Sequence, residues 1–263
     1  MNNGIETYYK HPLVVCTLLQ HFKNREIVFL NRETGNCIRM LYFSEGGYFN
    51  KFQNYVDFYT KEYTIYMSVA KFNFIPHNRK QKDIFFSNIH NYINDYDILL
   101  DFDSDSQKQL NILRTEVYKF RQILDKYLVP YLIFPSSTSG IQLRIEGKYL
   151  DYPIKTFGSS GAHFNILTRH IILNIKDKFK LTTLCIKGVG GLTKLMKCPY
   201  TYNFASGNFC IPFRPKKNYG IFTKPSEAIK HMKTKRSYDD RNIIDLENNT
   251  KNTMKFLKEG GLL

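Results

Sequence analysis

The chain has 263 residues, 43% of them hydrophobic and 15% aromatic. That is enough apolar material for a substantial core in one large domain or two small ones, which excludes a disordered chain as the default. Lys and Arg outnumber Asp and Glu by 38 to 23, a formal charge of +15, so the leading expected partner is a polyanion such as nucleic acid, with a membrane surface and simple solubility as the competing explanations.

No apolar run approaches the roughly 18–20 residues of a transmembrane helix, and Met1-Asn2-Asn3-Gly4 lacks signal-peptide features. A cytoplasmic protein without membrane association is expected. The cysteines at 16, 37, 185, 198 and 210 form no Cys-x-x-Cys pair, which argues against a disulfide framework and a zinc knuckle.

Tyr8, Tyr9, Val14, Leu18, Leu19 and Phe22 fall at helical spacing and predict an amphipathic helix over 5–23. Residues 26–30 and 37–43 then read as two strands joined by a turn containing Gly35. A helix is expected over 49–60, a strand over 63–70 and a basic, Pro-containing loop over 76–82.

Next comes Asp97-Ile98-Leu99-Leu100-Asp101-Phe102-Asp103-Ser104-Asp105. In a strand, alternation puts Ile98, Leu100 and Phe102 on one face and Asp97, Leu99, Asp101, Asp103 and Asp105 on the other. Carboxylates two residues apart on one face are roughly 6.5–7 Å apart by Cα and repel each other, a tension that a divalent cation relieves. The alternative is an amphipathic strand with a solvated acidic face.

Leu110, Leu113, Val117, Phe120, Ile123 and Leu124 predict a helix over 106–127, and 131–134 is a strand. Strand, helix and strand over about 40 residues read as a βαβ unit with its two strand ends side by side. Pro135-Ser136-Ser137-Thr138-Ser139-Gly140 follows, a loop whose small residues let backbone N–H groups approach an anion, or simply turn the chain, before a strand at 141–145.

A helix is expected over 164–179, a short strand over 182–186 and a flexible turn at Lys187-Gly188-Val189-Gly190-Gly191. Lys194 and Lys197 beside that turn suit phosphate binding, or form a solvated basic strand. A hairpin at Ala205-Ser206-Gly207-Asn208 leads to a strand over 209–213. From Arg214 the composition becomes basic and apolar-poor, so 1–213 is expected to be one domain and 214–263 a peripheral tail, with helices over 225–232 and 243–258.

In this order the motifs resemble the catalytic small subunit of archaeal and eukaryotic primases, and so the archaeo-eukaryotic primase superfamily. The likeness includes Tyr8-Tyr9, Arg25-Glu26-Ile27-Val28-Phe29, Arg39 and Tyr66-Met67-Ser68-Val69-Ala70. Its centre is the acidic strand, where Asp101 and Asp103 match the metal-binding pair. Phe134 to Leu143 looks like the Ser-Gly-x-x-Gly-x-His motif, and Lys194 to Asn203 looks like the late Arg-Leu-Ile-Arg-x-Pro segment.

The resemblance implies an α+β fold with a primase-polymerase (RRM-like) core, mixed sheets and flanking helices. It implies a DNA-templated nucleotidyltransferase that synthesises primers. Asp101 and Asp103 would be catalytic, and with Asp105 would bind Mg²⁺ or Mn²⁺. Ser136, Ser137, Thr138, Ser139, Gly140, Gln142, Lys194, Lys197 and Asn203 would bind a nucleoside triphosphate. Single-stranded DNA template and a large primase subunit or other replication protein are the implied partners.

The chain departs from the family in four ways. Gln142 stands at the motif histidine, 182–193 holds no acid where a third aspartate is expected, lysines replace the late arginines, and the zinc-binding cysteines are missing. Gly158 to His163 is an alternative second motif, and Asp151 or Asp177 an alternative third acid. The competing functions are a non-catalytic primase-like binding module and a stand-alone end-joining repair polymerase.

Overall fold

The structure, a computed structural model, describes residues 2–31, 33–41, 63–73, 79–151, 162–213, 224–234 and 245–263. The helix expected over 49–60, residues 76–78 of the expected loop and Gly158–Gly161 lie outside them.

The single opening helix is in fact two, α1 (Asn2–Lys10) and α2 (Pro12–Phe22). The cause is Pro12, which donates no N–H and biases the residue before it away from helix. His11 is extended (φ −70°, ψ 125°), and its Nδ1 caps α2 by accepting from Leu13 N at 3.2 Å.

The predicted hairpin follows as β1 (Glu26–Leu30) and β2 (Cys37–Leu41), antiparallel with Glu26 opposite Leu41. The strand expected over 63–70 divides at Val69. Its first part, β3 (Thr64–Ser68), pairs with β1, while β4 (Ala70–Phe72) pairs elsewhere with β5 (Ile93–Tyr96). At this break the Arg25 guanidinium donates to Ser68 O and Val69 O at 2.7 and 2.8 Å.

Arg79–Lys82, read as loop, instead open helix α3 (Arg79–Ser87), whose buried Phe85 packs edge-on against Phe72 with ring centroids 5.1 Å apart.

The acidic strand is β6 (Ile98–Asp103), and α4 (Gln107–Lys126) follows it, capped by the Ser106 hydroxyl accepting from Gln109 N. β7 (Leu132–Pro135) does not lie beside β6. The next strand, β8 (Gly140–Ile145), turns back from β7 and inserts between them, antiparallel to both. With α5 (Ala162–Phe179) and β9 (Leu184–Cys185), this gives a sheet ordered β7-β8-β6-β9. A second four-stranded sheet, β10-β3-β1-β2, includes β10 (Leu195–Lys197), and β11 (Tyr202–Asn203) pairs with β12 (Asn208–Phe209).

Alternation along β6 separates two cores. Ile98, Leu100 and Phe102 pack with Leu113, Val117 and Phe120 of α4 and Ile171 and Ile175 of α5. Leu99, on the opposite face, belongs to the core that contains Phe29 of β1, Met67 of β3 and Met196 of β10.

The helices expected near the C-terminal end are present as α6 (Pro225–Thr234) and α7 (Leu246–Glu259). α6 gives Ala228 and Met232 to the first-sheet core, and α7 gives Phe256 and Leu257 to the other. The fold is thus α+β, with antiparallel sheets and flanking helices. Among the described residues no helix is long and apolar enough to cross a membrane.

Candidate functional site

The acidic face of β6 carries a gradient of burial. Asp97 is fully buried, Leu99 is 4% exposed, Asp101 is half-buried and Asp103 is exposed. One strand face therefore runs from the interior to an open end, and its acids have different roles.

Asp97 is an internal counter-ion. Its Oδ2 accepts from Arg25 at 2.6 Å and Arg144 at 2.7 Å, and its Oδ1 accepts from Gly147 N at 2.9 Å. Burial alone would raise its carboxyl, but Arg144 and Arg25 outweigh that and the net displacement is downward. His21 completes the cluster. Burial and the neighbouring Arg144 lower it to about 3, so its neutral Nδ1 lies 3.3 Å from the Arg144 guanidinium as an acceptor.

At the open end, antiparallel pairing of β6 and β8 puts Gln142 opposite Asp101 and Gly140 opposite Asp103. Residues opposite each other in register share a face, so the serine loop and the acids meet because β8 follows the loop directly. Gln142 Nε2 donates to Asp101 Oδ1 at 3.1 Å, and Gln142 Oε1 accepts from Lys197 N at 3.0 Å. This one side chain ties the acid to β10 of the other sheet.

Ser136 to Ser139 form the β7–β8 turn. Ser104 donates to Ser139 O through both N and Oγ, at 3.1 and 2.9 Å, and Ser139 N donates to Ser137 Oγ at 3.2 Å. Gly140 is required by close approach. A Cβ there would lie 2.5 Å from Ser136 Oγ, 2.7 Å from Asp103 Oδ1 and 2.8 Å from Ser137 Oγ, so those three oxygens converge on one spot. Thr138 is exposed at the tip.

Asn203 is buried behind the loop, where it donates to Ser136 O at 2.8 Å and so clamps the loop from the protein side.

The two lysines differ. Lys194 Nζ donates to Lys187 O at 3.0 Å, while its backbone O accepts from Val69 N at 2.9 Å. Lys197 is buried, with Nζ 2.6 Å from Tyr66 Oη and 4.1 Å from the Tyr66 ring centroid.

Asp101 is raised by burial and then by Asp103, against the pull of Gln142, Lys194 and Lys197. Asp103 is raised by burial and further by Asp105, and Lys194 opposes both. Two carboxyls pushed upward side by side form an oxygen donor set suited to a hard divalent cation.

Asp105 lies past the end of β6, exposed, with its N donating to Gln109 Oε1 at 2.7 Å. Among the described residues no group of three or more His, Cys, Asp or Glu is placed to hold a metal ion. The residue in register with Asp101 on its other side is Cys185. Asp151, Asp177 and His163 are exposed.

Sequence reading missed two supports. The Arg25, Arg144 and His21 cluster anchors the start of β6. Glu116 of α4 accepts from N and Oγ1 of both Thr182 and Thr183 at 2.6–3.0 Å, and Thr183 O in turn accepts from Asp103 N at 3.1 Å. A lone Glu on an amphipathic helix gives no signal of this.

No family model matches the sequence, and no curated protein sequence does. Among solved structures, the polymerase domain of Ligase D from Mycobacterium tuberculosis, in complex with DNA, matches with a TM-score of 0.58 at 10% identity. The match covers 88% of each chain and establishes a primase-polymerase type of fold.

Proposed function

We propose that this chain is a nucleotidyltransferase that extends a nucleic-acid strand on a DNA template, with primer synthesis as its activity. The reading rests on one observation: Asp101 and Asp103 stand at the open end of β6 facing the serine turn, with Gly140 leaving room for Ser136 Oγ, Ser137 Oγ and Asp103 Oδ1 to converge.

Asp101 and Asp103 would hold Mg²⁺ or Mn²⁺, which when bound supplies Lewis-acid activation of a hydroxyl and charge neutralisation on a leaving pyrophosphate. Gln142 fixes the Asp101 carboxylate by its amide N–H. The turn at 136–140 offers small hydroxyl side chains to phosphate oxygens, and Lys194 supplies positive charge beside both acids. The net charge of +15 attracts the template, with an affinity that falls as salt rises.

The DNA-bound polymerase domain among the structural neighbours supports a second reading, extension of DNA ends without priming. Purified protein with Mn²⁺, labelled nucleotides and either an unprimed single strand or a primed end separates the two. Asp101→Ala with Asp103→Ala should lower synthesis by roughly 10³-fold, several kcal/mol of transition-state stabilisation. Undiminished synthesis in that variant refutes the assignment. DNA binding without synthesis in the unaltered protein replaces it with a non-catalytic binding role.

A further inference from the structure

The opposite end of β6 borders a cavity of about 450 Å³ that the proposed reaction does not use. Neither Asp101, Asp103 nor any residue of the serine turn lines it, so this cavity and the acidic pair are distinct places.

Five cations line it: Lys23, Arg25, Lys71, Arg144 and Lys148. Three carboxylates pair with them, Asp97 with both arginines, Asp95 with Lys71 at 3.2 Å, and Glu146 with Arg144 and Lys148 at 3.2 and 2.8 Å. Two positive charges are therefore in surplus, and the neutral His21 adds none.

Arg25 and Arg144 stand behind the cavity wall, 0% and 2% exposed, so they act on it as buried charge, while Lys23, Lys71 and Lys148 are the cations a ligand can reach. Pro130, Tyr131 and Leu132 give the same cavity an apolar and aromatic wall.

Surplus positive charge and an apolar, aromatic wall in a volume within the usual range for small-ligand sites fit an anion with a flat organic body. We propose that this cavity binds a phosphorylated ligand of mononucleotide size, its phosphate toward the cations and its base toward Pro130, Tyr131 and Leu132. The proposal does not depend on the activity at Asp101 and Asp103.

The test is titration of AMP, and separately of orthophosphate, into the full chain without divalent metal, followed by calorimetry. Lys23 and Lys148 are exposed, so Lys23→Ala and Lys148→Ala are expected to fold. Each should weaken AMP binding about tenfold, the scale of one charge-assisted hydrogen bond. Asp101→Asn with Asp103→Asn should leave it unchanged. AMP should bind tighter than orthophosphate. Three results would each overturn the proposal: no binding of AMP, AMP binding no tighter than orthophosphate, or AMP binding that responds to the Asp101 and Asp103 substitutions but not to the lysines.

Discussion

Asp97→Asn is the sharpest probe of how the two sheets are held in place. The native carboxylate accepts from two fully buried guanidiniums and from Gly147 N, at 2.6, 2.7 and 2.9 Å. The amide keeps the shape but loses the charge and turns an N–H₂ toward a donor. Breaking one partner of a buried ion pair costs about 3–5 kcal/mol, because the partner charge stays buried. Here two guanidiniums are stranded, which places the expected loss at the upper end, about 4–5 kcal/mol.

Urea unfolding followed by far-UV circular dichroism measures this as a lower midpoint at unchanged slope. The same carboxyl sets a pH dependence. Its folded-state value is displaced downward, so its contribution is fully present above the unfolded value of roughly 3.9 and is lost as pH falls below it. The variant should therefore lose less stability than the native chain between about pH 5 and pH 3. A destabilisation below about 1 kcal/mol at pH 7, or an unaltered acid response, would refute the cluster as an anchor.

Two further substitutions test the site's supports. Gln142→Leu removes the donor to Asp101 and strands the buried Lys197 N–H, so about 1–3 kcal/mol of stability should go together with most nucleotidyl transfer, read by urea unfolding and primer synthesis. Glu116→Ala frees Thr182 and Thr183 and with them the carbonyl that holds Asp103 N, so synthesis should fall several-fold in a protein that still unfolds cooperatively; full activity would show that β9 needs no such latch.

What could be read in advance was what local periodicity encodes. The β1–β2 hairpin, α4 with its Ser106 cap, and the two faces of β6 follow from spacing and turn chemistry within a few residues. The break at Pro12 was equally local, but the apolar pattern runs through it. Partner choice was out of reach. Nothing near 131–145 says that β8 enters between β6 and β7, because pairing is decided by which buried faces fit across the whole sheet. Asp97 reads as one more acid in a row because its counter-ions, Arg25 and Arg144, lie 72 and 47 residues away.

Gln142 stands where the resemblance to primases leads one to expect a histidine. A neutral imidazole offers one ring donor and one ring acceptor, and the Gln142 amide uses one of each, toward Asp101 and from Lys197 N. Gln142 thus bridges the two sheets without placing a titratable charge beside the acids. Positive charge near Asp101 and Asp103 must then come from elsewhere in the site. Lys197 is buried against Tyr66, while Lys194 is the strongest opposing charge on both carboxyls. Lys194 holds that position at the end of a glycine-rich turn fixed to the sheets by Val69 N, which donates to Lys194 O, and by the Tyr96 hydroxyl donating to Gly191 O.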